Sequence, residues 1–390
     1  MQRIDSRTCL PDDLSRAVLV GRVWRGAPHH GPALVVVRDG QLYDITRSVA
    51  LMADLLDRDD RLELARHTPG EALGPVETWL ERSLDPQAEE RLLAPCDVQA
   101  IKACGVTFAV SLLERVIEEQ AAGDAGKAQE IRTTLQALIG DDLSRIRPGS
   151  AEAEALREEL SGRGAWSQYM EVGIGPDAEV FSKAQPMSAV GFGSYVGLHP
   201  QSRWNNPEPE IVLAVNALRQ VVGASLGNDV NLRDIEGRSA LLLGKAKDNN
   251  GSCAIGPFIR LFDEHFDLDD VRRCEVALLI EGAADGFRLE GRSNMGEISR
   301  DPLELVEQTS GAHHQYPDGF MLFLGTMFSP IQDRGEARSG FTHYLDDRVR
   351  IATPTLGALV NEVRHSTAIP PWDFGVRALY RSLGYRGLLG

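Results

Sequence analysis

Three acidic residues in the middle of the chain have the spacing and the chemistry of a metal site. Glu208 and Glu210 stand two residues apart where the apolar run IVLAV begins, and Asp229 follows in the segment LGNDVNLRD. Side chains at i and i+2 of a strand share a face, so the two glutamates would converge. Converging carboxylates repel, which favours a proton or a cation between them. Carboxylate oxygens are the ligands that Mg²⁺ and Mn²⁺ prefer.

Each of these residues also has a simpler interpretation when it is considered by itself. An isolated E-x-E is typical of a solvated strand start, because acids are mostly exposed. Asp229 follows a Gly-Asn pair that is typical of a turn. Lys247, in the segment KDNNGSCAIGP, would by itself be a solvated loop lysine. A lysine buried in a metal-binding cleft can instead lose its proton and act as a base, so the neighbouring acids favour a site that includes Lys247.

Short strands predominate among the elements that must position these residues. From EVFSKAQPM onward, Gly and Pro separate β-rich runs such as GSYVGLHP, QVVGASLGNDV, CAIGPFIRL and GFMLFLGT. Strands without alternating long helices favour an antiparallel or mixed β architecture with appended helices. Residues 17–47 alternate β-rich runs with turn residues, which predicts hairpins. Residues 109–164 are helical in pattern and strongly charged.

We predict two domains with a boundary near residue 95. At 390 residues the chain is long enough for one large domain or two ordinary ones. Residues 1–95 would form a smaller N-terminal β-rich domain, and residues 96–390 the catalytic domain, with a helical insertion at about 115–165. The insertion would form either a lid or an oligomer contact, and the sequence does not distinguish the two.

The overall charge and composition exclude several classes of protein. The formal charge is −16, which argues against a nucleic-acid partner because such proteins usually carry a basic face. No apolar run approaches the length of a membrane span, and MQRIDSRTCLPDDLSR lacks the apolar core of a signal peptide. We therefore expect no membrane partner and a cytoplasmic location. The five cysteines form no C-x-x-C pair, so we expect free thiols, several of them buried.

The order of the motifs resembles the fumarylacetoacetate hydrolase family. The series consists of E-x-E at a strand start, N-D-V-x-x-R-D, a lysine before Gly-Pro, the pair Gly325-Thr326, and LGALVNEV near the end. It spans roughly residues 96–363. The resemblance implies a mixed, β-rich α+β protein whose catalytic domain has the β-roll of that family.

The resemblance also implies roles for individual residues. It gives Glu208, Glu210 and Asp229 as ligands of Mg²⁺ or Mn²⁺. Other residues match family positions around the metal and the substrate: Lys247 against the metal site, Lys183 in place of the F-x-K-P lysine beside the substrate, Arg233 of the N-D-V motif, Glu236 where relatives often have glutamine, and Thr326, the threonine that binds a substrate carboxylate. For Lys183 and Arg233, a salt bridge to one of the site acids is the alternative.

One departure from the family pattern changes the expected reaction. Family hydrolases resemble G-x-N-Y-x-x-H-x-x-E, with a His-Glu pair that activates the water for C–C cleavage. In the segment KACGVTFAVSLLERV, Ser111 replaces the histidine and Glu114 is retained. Both would face the same way on a helix, but serine cannot serve as a general base near neutral pH. Hydrolysis is therefore put in doubt, and Ser111 becomes a candidate for substrate binding.

A branch of the family with serine at this position resembles sugar-acid dehydratases that act on 2-keto-3-deoxy acids. Residues 247–257 fit its pattern K-x-x-x-x-S-C-A-x-G-P. A 2-oxo acid can chelate a divalent ion through its carboxylate and keto oxygens, which acidifies C3. We therefore predict a Mg²⁺-dependent dehydratase, a hydro-lyase that converts a 2-keto-3-deoxy-D-pentonate to 2-oxoglutarate semialdehyde in pentose catabolism. Lys247 would act as base and Glu114 as acid, or the two in exchanged roles.

Two other functions stay open at this point. C–C bond hydrolysis of an acylpyruvate or diketo acid would require Glu114 alone to position the water. A non-enzymatic binding protein would keep the fold and the three acids without the chemistry. In each case the partner is a small-molecule 2-oxo acid, and we expect a homodimer or homotetramer. Residues 340–343 (GFTH) and the C-terminal tail have no assigned role, and we expect them at the surface or in subunit packing.

Overall fold

Strands form most of the regular structure in the computed structural model. The structure describes residues 4–85, 88–122, 124, 126–128, 131, 146–162, 166–326, 328, 330–335 and 340–389. Within these ranges the strands are β1 (Leu19–Arg25), β2 (Gly31–Arg38), β3 (Gln41–Asp44), β4 (Glu71–Pro75), β5 (Arg91–Leu93), β6 (Ala100–Gly105), β7 (Glu179–Ala184), β8 (Tyr195–Leu198), β9 (Pro209–Val215), β10 (Val221–Asp229), β11 (Cys253–Leu261), β12 (Glu275–Glu281), β13 (Arg288–Asn294), β14 (Phe320–Phe323), β15 (Arg348–Thr353) and β16 (Gly357–His365).

The helices are short and lie between the strands. Within the described residues they are α1 (Met52–Asp57), α2 (Arg61–His67), α3 (Val76–Ser83), α4 (Ala109–Gln120), α5 (Ala151–Gly162), α6 (Gln168–Ile174), α7 (Arg233–Glu236), α8 (Leu243–Lys247), α9 (Leu268–Arg272), α10 (Pro302–Thr309) and α11 (Val376–Tyr385). None of the helices in this part of the chain has the length and apolarity that a membrane span requires.

The strands form two sheets. The larger sheet has the order β4-β3-β2-β1-β11-β10-β9-β14-β6-β7, with β5 also paired to β1, and the smaller has the order β13-β12-β15-β16-β8. Most neighbours are antiparallel, whereas β14 with β6 and β16 with β8 are parallel pairs. The protein is therefore a sheet-rich structure that mixes α-helices and β-strands, as the distribution of short β-rich runs predicted.

The central strands of the larger sheet are covered on both faces. Every residue of β9 and β11 is buried. Ile211 and Leu213 of β9 pack into one hydrophobic cluster, while Val212 and Ala214 pack into another. Alternate side chains of a strand point to opposite faces, which explains why IVLAV is continuously apolar. The acids at the start of this strand are consequently held beside a rigid core.

The N-terminal β-rich segment joins the same sheet. The hairpins predicted for residues 17–47 are present as β1, β2 and β3. Val20 of β1 pairs with Ile259 of β11, and the buried Arg260 donates to the two carboxylate oxygens of Asp13 at 2.7 and 2.6 Å. Backbone pairing and this ion pair therefore attach the first strands to the centre of the molecule.

The charged helical segment lies only partly within the described residues. The helices α4 and α5 lie where the sequence predicted helices, and residues 132–145 lie outside the described part of the chain. Leu112 and Val116 of α4 pack with Met170 of α6 in one buried cluster. This packing fixes the orientation of α4, the helix that carries Ser111 and Glu114.

One expectation about the late part of the chain is wrong in part. Phe341 is fully buried and His343 is 7% exposed, so these two residues of the segment 340–343 do not lie at the surface. The His343 amide donates to the Asn205 side-chain oxygen at 3.2 Å, and the His343 ring lies 3.0 Å from Asp347. Arg334 also pairs with Asp347, at 2.5 and 2.8 Å. These contacts hold the segment against the turn that precedes the E-x-E strand. The cysteines, in contrast, are as predicted: all five are free and buried.

Gly21 offers a test of the packing between the first strand and the central sheet. A Cβ atom there would lie 2.6 Å from Cδ1 of Phe258, whose ring is buried and has little room to move in a close-packed core. We expect Gly21→Ala to lower the free energy of unfolding by about 1–3 kcal/mol, measured by chemical denaturation. Gly162→Ala is the control, because a Cβ atom there meets nothing within 4 Å. An unchanged denaturation midpoint for Gly21→Ala would contradict this packing.

Candidate active site

The register between β9 and β10 brings the three predicted metal ligands together. Gly227 of β10 pairs with Glu210, and the Asp229 amide donates to the Glu208 carbonyl at 3.0 Å. Each of the three acids offers a carboxylate oxygen, and these oxygens lie within 4.8 Å of one another. The three residues are no more than 2% exposed. The two glutamates and Asp229 therefore form one buried cluster rather than a solvated strand end.

Two buried lysines hold this cluster from opposite sides. Lys247 Nζ donates to Glu208 Oε2 at 2.7 Å and to Asp229 Oδ2 at 3.2 Å. Lys183 Nζ lies 2.7 Å from Asp229 Oδ1 and donates to the carbonyls of Val230 at 3.1 Å and Lys247 at 2.5 Å. Lys183 therefore makes the salt bridge that the sequence left as an alternative, and it links a metal ligand to the backbone of Lys247.

An arginine that the sequence analysis did not single out contacts the cluster from α4. Arg115 donates to Oε1 of Glu208, and to Oε2 of both Glu118 and Glu236 at 2.8 Å. Arg115 follows Glu114 directly in a helix whose charged pattern predicted a solvated face. No sequence signal separated this buried arginine from exposed ones, because its acid partners come from distant parts of the chain.

Glu114 forms an ion pair beside the acid cluster. Arg233 Nη2 donates to Glu114 Oε2 at 3.0 Å, and Arg233 Nε donates to Glu118 Oε1 at 2.5 Å. The Arg233 guanidinium also lies over the Trp204 ring, 4.4 Å from its centroid. The salt bridge considered for Arg233 is therefore present, with Glu114 and Glu118 as its acids.

Ser111 and Thr326 are both engaged in local hydrogen bonds. Ser111 Oγ donates to the Phe108 carbonyl at 2.8 Å and accepts from the Phe108 amide at 3.3 Å, at the N-terminus of α4. Thr326 Oγ1 lies 3.2 Å from both the amide and the carbonyl oxygen of Phe328. The preceding Gly325 amide donates to Glu210 Oε2 at 2.6 Å. The Gly-Thr motif thus contacts a metal ligand through its backbone.

These elements surround one narrow cavity. Ser111, Thr326 and Phe181 line it. Its charged lining residues are Arg115, Glu179, Glu208, Glu210, Asp229, Glu236 and Lys247. Lys183, Glu114 and Arg233 do not line it and lie behind its wall. The structure therefore brings together in one cavity seven of the ten residues that the sequence predicted for the site, and places the other three next to them.

Glu179 is a cavity residue that sequence reasoning missed. It begins β7, four residues before Lys183 in the run EVFSKA. Residues at even spacing share a face of a strand, and this spacing was the signal that could have found it. Burial of the Glu179 carboxyl raises its pKa to about 7, and the neighbouring Glu236 contributes to the increase. A carboxyl with this pKa can exchange a proton at neutral pH.

Burial and mutual charge divide the acids into two kinds. Burial alone would raise the pKa of Glu208, but Lys247 and Arg115 lower it to about 2. Burial, together with Asp229 and Glu208, raises the pKa of Glu210 well above its ordinary value. Burial would lower the pKa of the Lys247 ammonium, yet Asp229 and Glu208 hold it above its ordinary value. These two acids therefore favour the charged form of Lys247 in this arrangement.

The acid cluster fits a hard divalent cation. Its three side chains offer only oxygen ligands, the set that Mg²⁺ and Mn²⁺ prefer. Burial and the neighbouring carboxylates of Asp229 and Glu208 raise the pKa of Glu210, so its ionised form is disfavoured in this arrangement. A divalent ion would supply compensating positive charge without a change in the strands.

The fold is similar to those of a solved sugar-acid dehydratase and a solved fumarylacetoacetate hydrolase. A solved structure of 2-keto-3-deoxy-D-arabinonate dehydratase complexed with magnesium and 2,5-dioxopentanoate superimposes with a TM-score of 0.61 at 19% identity, covering 89% of this chain and 99% of that one. The fumarylacetoacetate hydrolase of psychrophilic Exiguobacterium antarcticum superimposes with a TM-score of 0.52 at 16% identity, covering 90% of this chain and 100% of that one. No family model matches the chain.

Two curated proteins are similar in sequence. "Probable 2-keto-3-deoxyxylonate dehydratase" of Haloferax volcanii is 27% identical over 331 residues, which cover 85% of this chain and 94% of the relative. The 2-dehydro-3-deoxy-D-arabinonate dehydratase of Saccharolobus solfataricus is 29% identical over 186 residues, or 48% of this chain and 58% of the relative. The predicted resemblance to sugar-acid dehydratases of the fumarylacetoacetate hydrolase superfamily is thereby confirmed.

Because the three acids are crowded, Glu210→Gln should affect thermal stability differently with and without metal. Glu210→Gln removes a charge that burial, Asp229 and Glu208 all disfavour, while a glutamine can still accept from the Gly325 amide. In EDTA we expect the melting temperature of the variant to equal or exceed that of the wild type. With millimolar Mg²⁺ the wild type should gain stability by mass action and the variant should not.

Differential scanning fluorimetry measures both effects of Glu210→Gln. Glu152→Gln, at an exposed position of α5, is the control and should respond to Mg²⁺ as the wild type does. An equal Mg²⁺-dependent increase in wild type and Glu210→Gln would rule out Glu210 as a ligand.

Proposed function

We propose that the protein is a Mg²⁺-dependent dehydratase that removes water from a 2-keto-3-deoxy-D-pentonate and yields 2-oxoglutarate semialdehyde. The observation that carries this proposal is the similarity to two pentonate dehydratases, one of them along 85% of the chain. The neighbour in fold holds magnesium and 2,5-dioxopentanoate, which is the same compound as the semialdehyde. The cluster of Glu208, Glu210 and Asp229 offers this chain the matching ligands.

The hydrogen bonds of Ser111 favour dehydration over hydrolysis. Hydrolysis of a diketo acid needs a base that activates water. Ser111 stands where family hydrolases have histidine, and its hydroxyl is occupied at the N-terminus of α4. Glu114, the other member of that pair, is bonded to Arg233. Neither residue is available to activate a water molecule for C–C cleavage.

Glu208, Glu210 and Asp229 would hold the Mg²⁺, with Mn²⁺ as the alternative ion. When bound, this ion polarises the 2-oxo group and so acidifies C3 of the substrate. Thr326 would contact the substrate carboxylate and Ser111 a further polar group, because both line the cavity. Lys183 and Arg233 would act indirectly, since neither lines the cavity; Lys183 is bonded to Asp229 and Arg233 to Glu114.

Dehydration needs a base that takes a C3 proton and an acid that protonates the departing C4 hydroxyl, and the resulting 5-hydroxy-2-oxo-3-pentenoate then tautomerises to the semialdehyde. We assign the base to Glu179, which lines the cavity and has a pKa of about 7. We assign the acid to Lys247, because Asp229 and Glu208 favour its ammonium form. This exchanges the role first given to Lys247. Glu114 becomes a positioning residue that holds Arg233.

The finer architecture is also a proposal. The β-roll of the superfamily would comprise residues 96–390, and residues 1–95 would be an N-terminal domain whose first strand pairs with β11. The helical insertion at about 115–165 would form a lid or an oligomer contact in a homodimer or homotetramer. We propose that the enzyme works in the cytoplasm.

A substrate screen tests the proposed reaction. We expect purified protein with Mg²⁺ to release an aldehyde from 2-keto-3-deoxy-xylonate or 2-keto-3-deoxy-arabinonate, detected by trapping or by a coupled dehydrogenase. EDTA and Glu208→Gln should each abolish the signal, because both remove the metal site. Absence of turnover on any 2-keto-3-deoxy pentonate or hexonate would exclude the dehydratase, and pyruvate release from an acylpyruvate would support hydrolysis instead.

The pKa of Glu179 predicts how the rate depends on pH. A base must be ionised, so we expect kcat/KM to rise about tenfold per pH unit below about pH 7 and to level off above it. Glu179→Gln should lower kcat at least about 100-fold and remove this dependence. Glu290→Gln, at an exposed position of β13, should keep both the rate and the profile. A Glu179→Gln profile that still rises through pH 7 would assign the base elsewhere.

A further inference from the structure

Arg115 and Glu236 form a donor and acceptor pair in the wall of the cavity. Arg115 lies on α4, one turn after Ser111, and both residues line the cavity. Glu236 lies at the end of α7 and accepts from Arg115 Nη1 at 2.8 Å. The helix that gives family hydrolases their water-activating histidine therefore gives this cavity a guanidinium.

Each member of the pair keeps hydrogen-bonding capacity toward the cavity. A guanidinium has five N–H donors, and Arg115 directs three of them at acids, namely Glu208, Glu118 and Glu236. Its Nε has no partner among the described residues. Glu236 uses Oε2 for Arg115, and its Oε1 accepts from no described residue. Arg115 thus has unused N–H donors, and the adjacent Glu236 has an unused acceptor oxygen.

The charge around Arg115 favours a neutral ligand group over an anionic one. Three carboxylates already surround this single cation, so an additional carboxylate would be repelled. A hydroxyl has no charge and can both accept from Arg115 and donate to Glu236. A substrate hydroxyl is therefore the group that matches the pair.

The chemistry of elimination decides which hydroxyl this is. The C4 hydroxyl departs and must receive a proton, which an arginine cannot give up because its guanidinium stays protonated in proteins. The C5 hydroxyl keeps its bond to carbon during the elimination and becomes the aldehyde oxygen only in the later tautomerisation, so in the elimination step it needs only to be held. We propose that Arg115 and Glu236 bind the C5 hydroxyl of the substrate and make the enzyme specific for hydroxymethyl over methyl at that end, a role that rests on the proposed function.

The pair is held rigidly, which suits a specificity role. Glu118 accepts from Arg115 with Oε2 and from Arg233 with Oε1, at 2.8 and 2.5 Å. Arg115 also contacts Glu208, a proposed metal ligand, so the pair lies beside the cluster that would bind the chelating end of the substrate. A buried site built to bond a hydroxyl rejects an analogue without it, because its polar groups are left unpaired.

Two substrates that differ only at C5 test the proposal. The first is a 2-keto-3-deoxy pentonate, and the second is 4-hydroxy-2-oxopentanoate, which keeps the chelating end and the C4 hydroxyl but ends in a methyl group. Loss of water from the second compound removes a C3 proton and the C4 hydroxyl and gives a conjugated 2-oxo-3-enoate, followed by ultraviolet absorbance. We expect the wild type to favour the pentonate by about 100-fold or more in kcat/KM.

Arg115→Lys and Glu236→Gln should each reduce this preference at least about tenfold, mainly through a KM that rises more for the pentonate than for the methyl analogue. Arg300→Lys is the matched control, since Arg300 is also buried but bonds backbone carbonyls outside the cavity. It should lower stability and keep the preference. If Arg115→Lys does not fold, Glu236→Gln decides the result, because it nearly preserves the shape of the side chain.

Equilibrium binding gives a readout that does not depend on turnover. In the slow Glu179→Gln variant with Mg²⁺, calorimetry should show tighter binding of the pentonate than of the methyl analogue, and Glu236→Gln in that background should equalise the two. Equal binding of the pentonate and the methyl analogue by the Glu179→Gln variant would overturn the proposal. A preference for the pentonate that survives in the variant with both Glu179→Gln and Glu236→Gln would also overturn it. A wild type that turns over neither compound would instead overturn the proposed function, and with it this inference.

Discussion

The burial of several carboxylates around one cavity is the constraint on which the rest of the site depends. Glu208, Glu210 and Asp229 lie together away from water, where unpaired charges are costly. Lys247 and Lys183 offset part of that charge through contacts of 2.7 to 3.2 Å. Burial, Asp229 and Glu208 still raise the pKa of Glu210. A divalent cation bound by the cluster would offset the repulsion that remains.

The helix α4 connects this electrostatic arrangement to the choice of reaction. The Ser111 hydroxyl is hydrogen-bonded to the backbone at the N-terminus of the helix, and Glu114 is bonded to Arg233. The cavity therefore receives Arg115 from this helix and no water-activating base. Arg115 also contacts Glu208, so the residue that we propose for substrate recognition is bonded to a candidate metal ligand. Loss of hydrolysis and gain of hydroxyl recognition would then both depend on residues of this one helix.

The sequence predicted the fold well where apolar runs are short and bounded by turns. The runs around residues 17–47 and the E-x-E segment became strands with the expected partners. The prediction of a surface position failed within residues 340–343, because nothing in GFTH reveals that His343 contacts Asp347 and Asn205. The same reason explains why Arg115 and Glu179 were missed. Their surroundings are made by residues far away in the chain.

The sequence by itself indicated Glu208, Glu210 and Asp229 as candidate metal ligands through residue type and spacing, and the class of reaction through a family resemblance in which the serine at position 111 was the informative departure. Only the tertiary structure showed which charged groups surround each residue of the cavity, and the proposed division of roles depends on these surroundings. The charge state of Lys247 depends on the carboxylates that lie against it, and the pKa of Glu179 depends on its burial and on Glu236. Electrostatic energies depend on distance and burial in three dimensions, and neither quantity is contained in the order of residues along the chain.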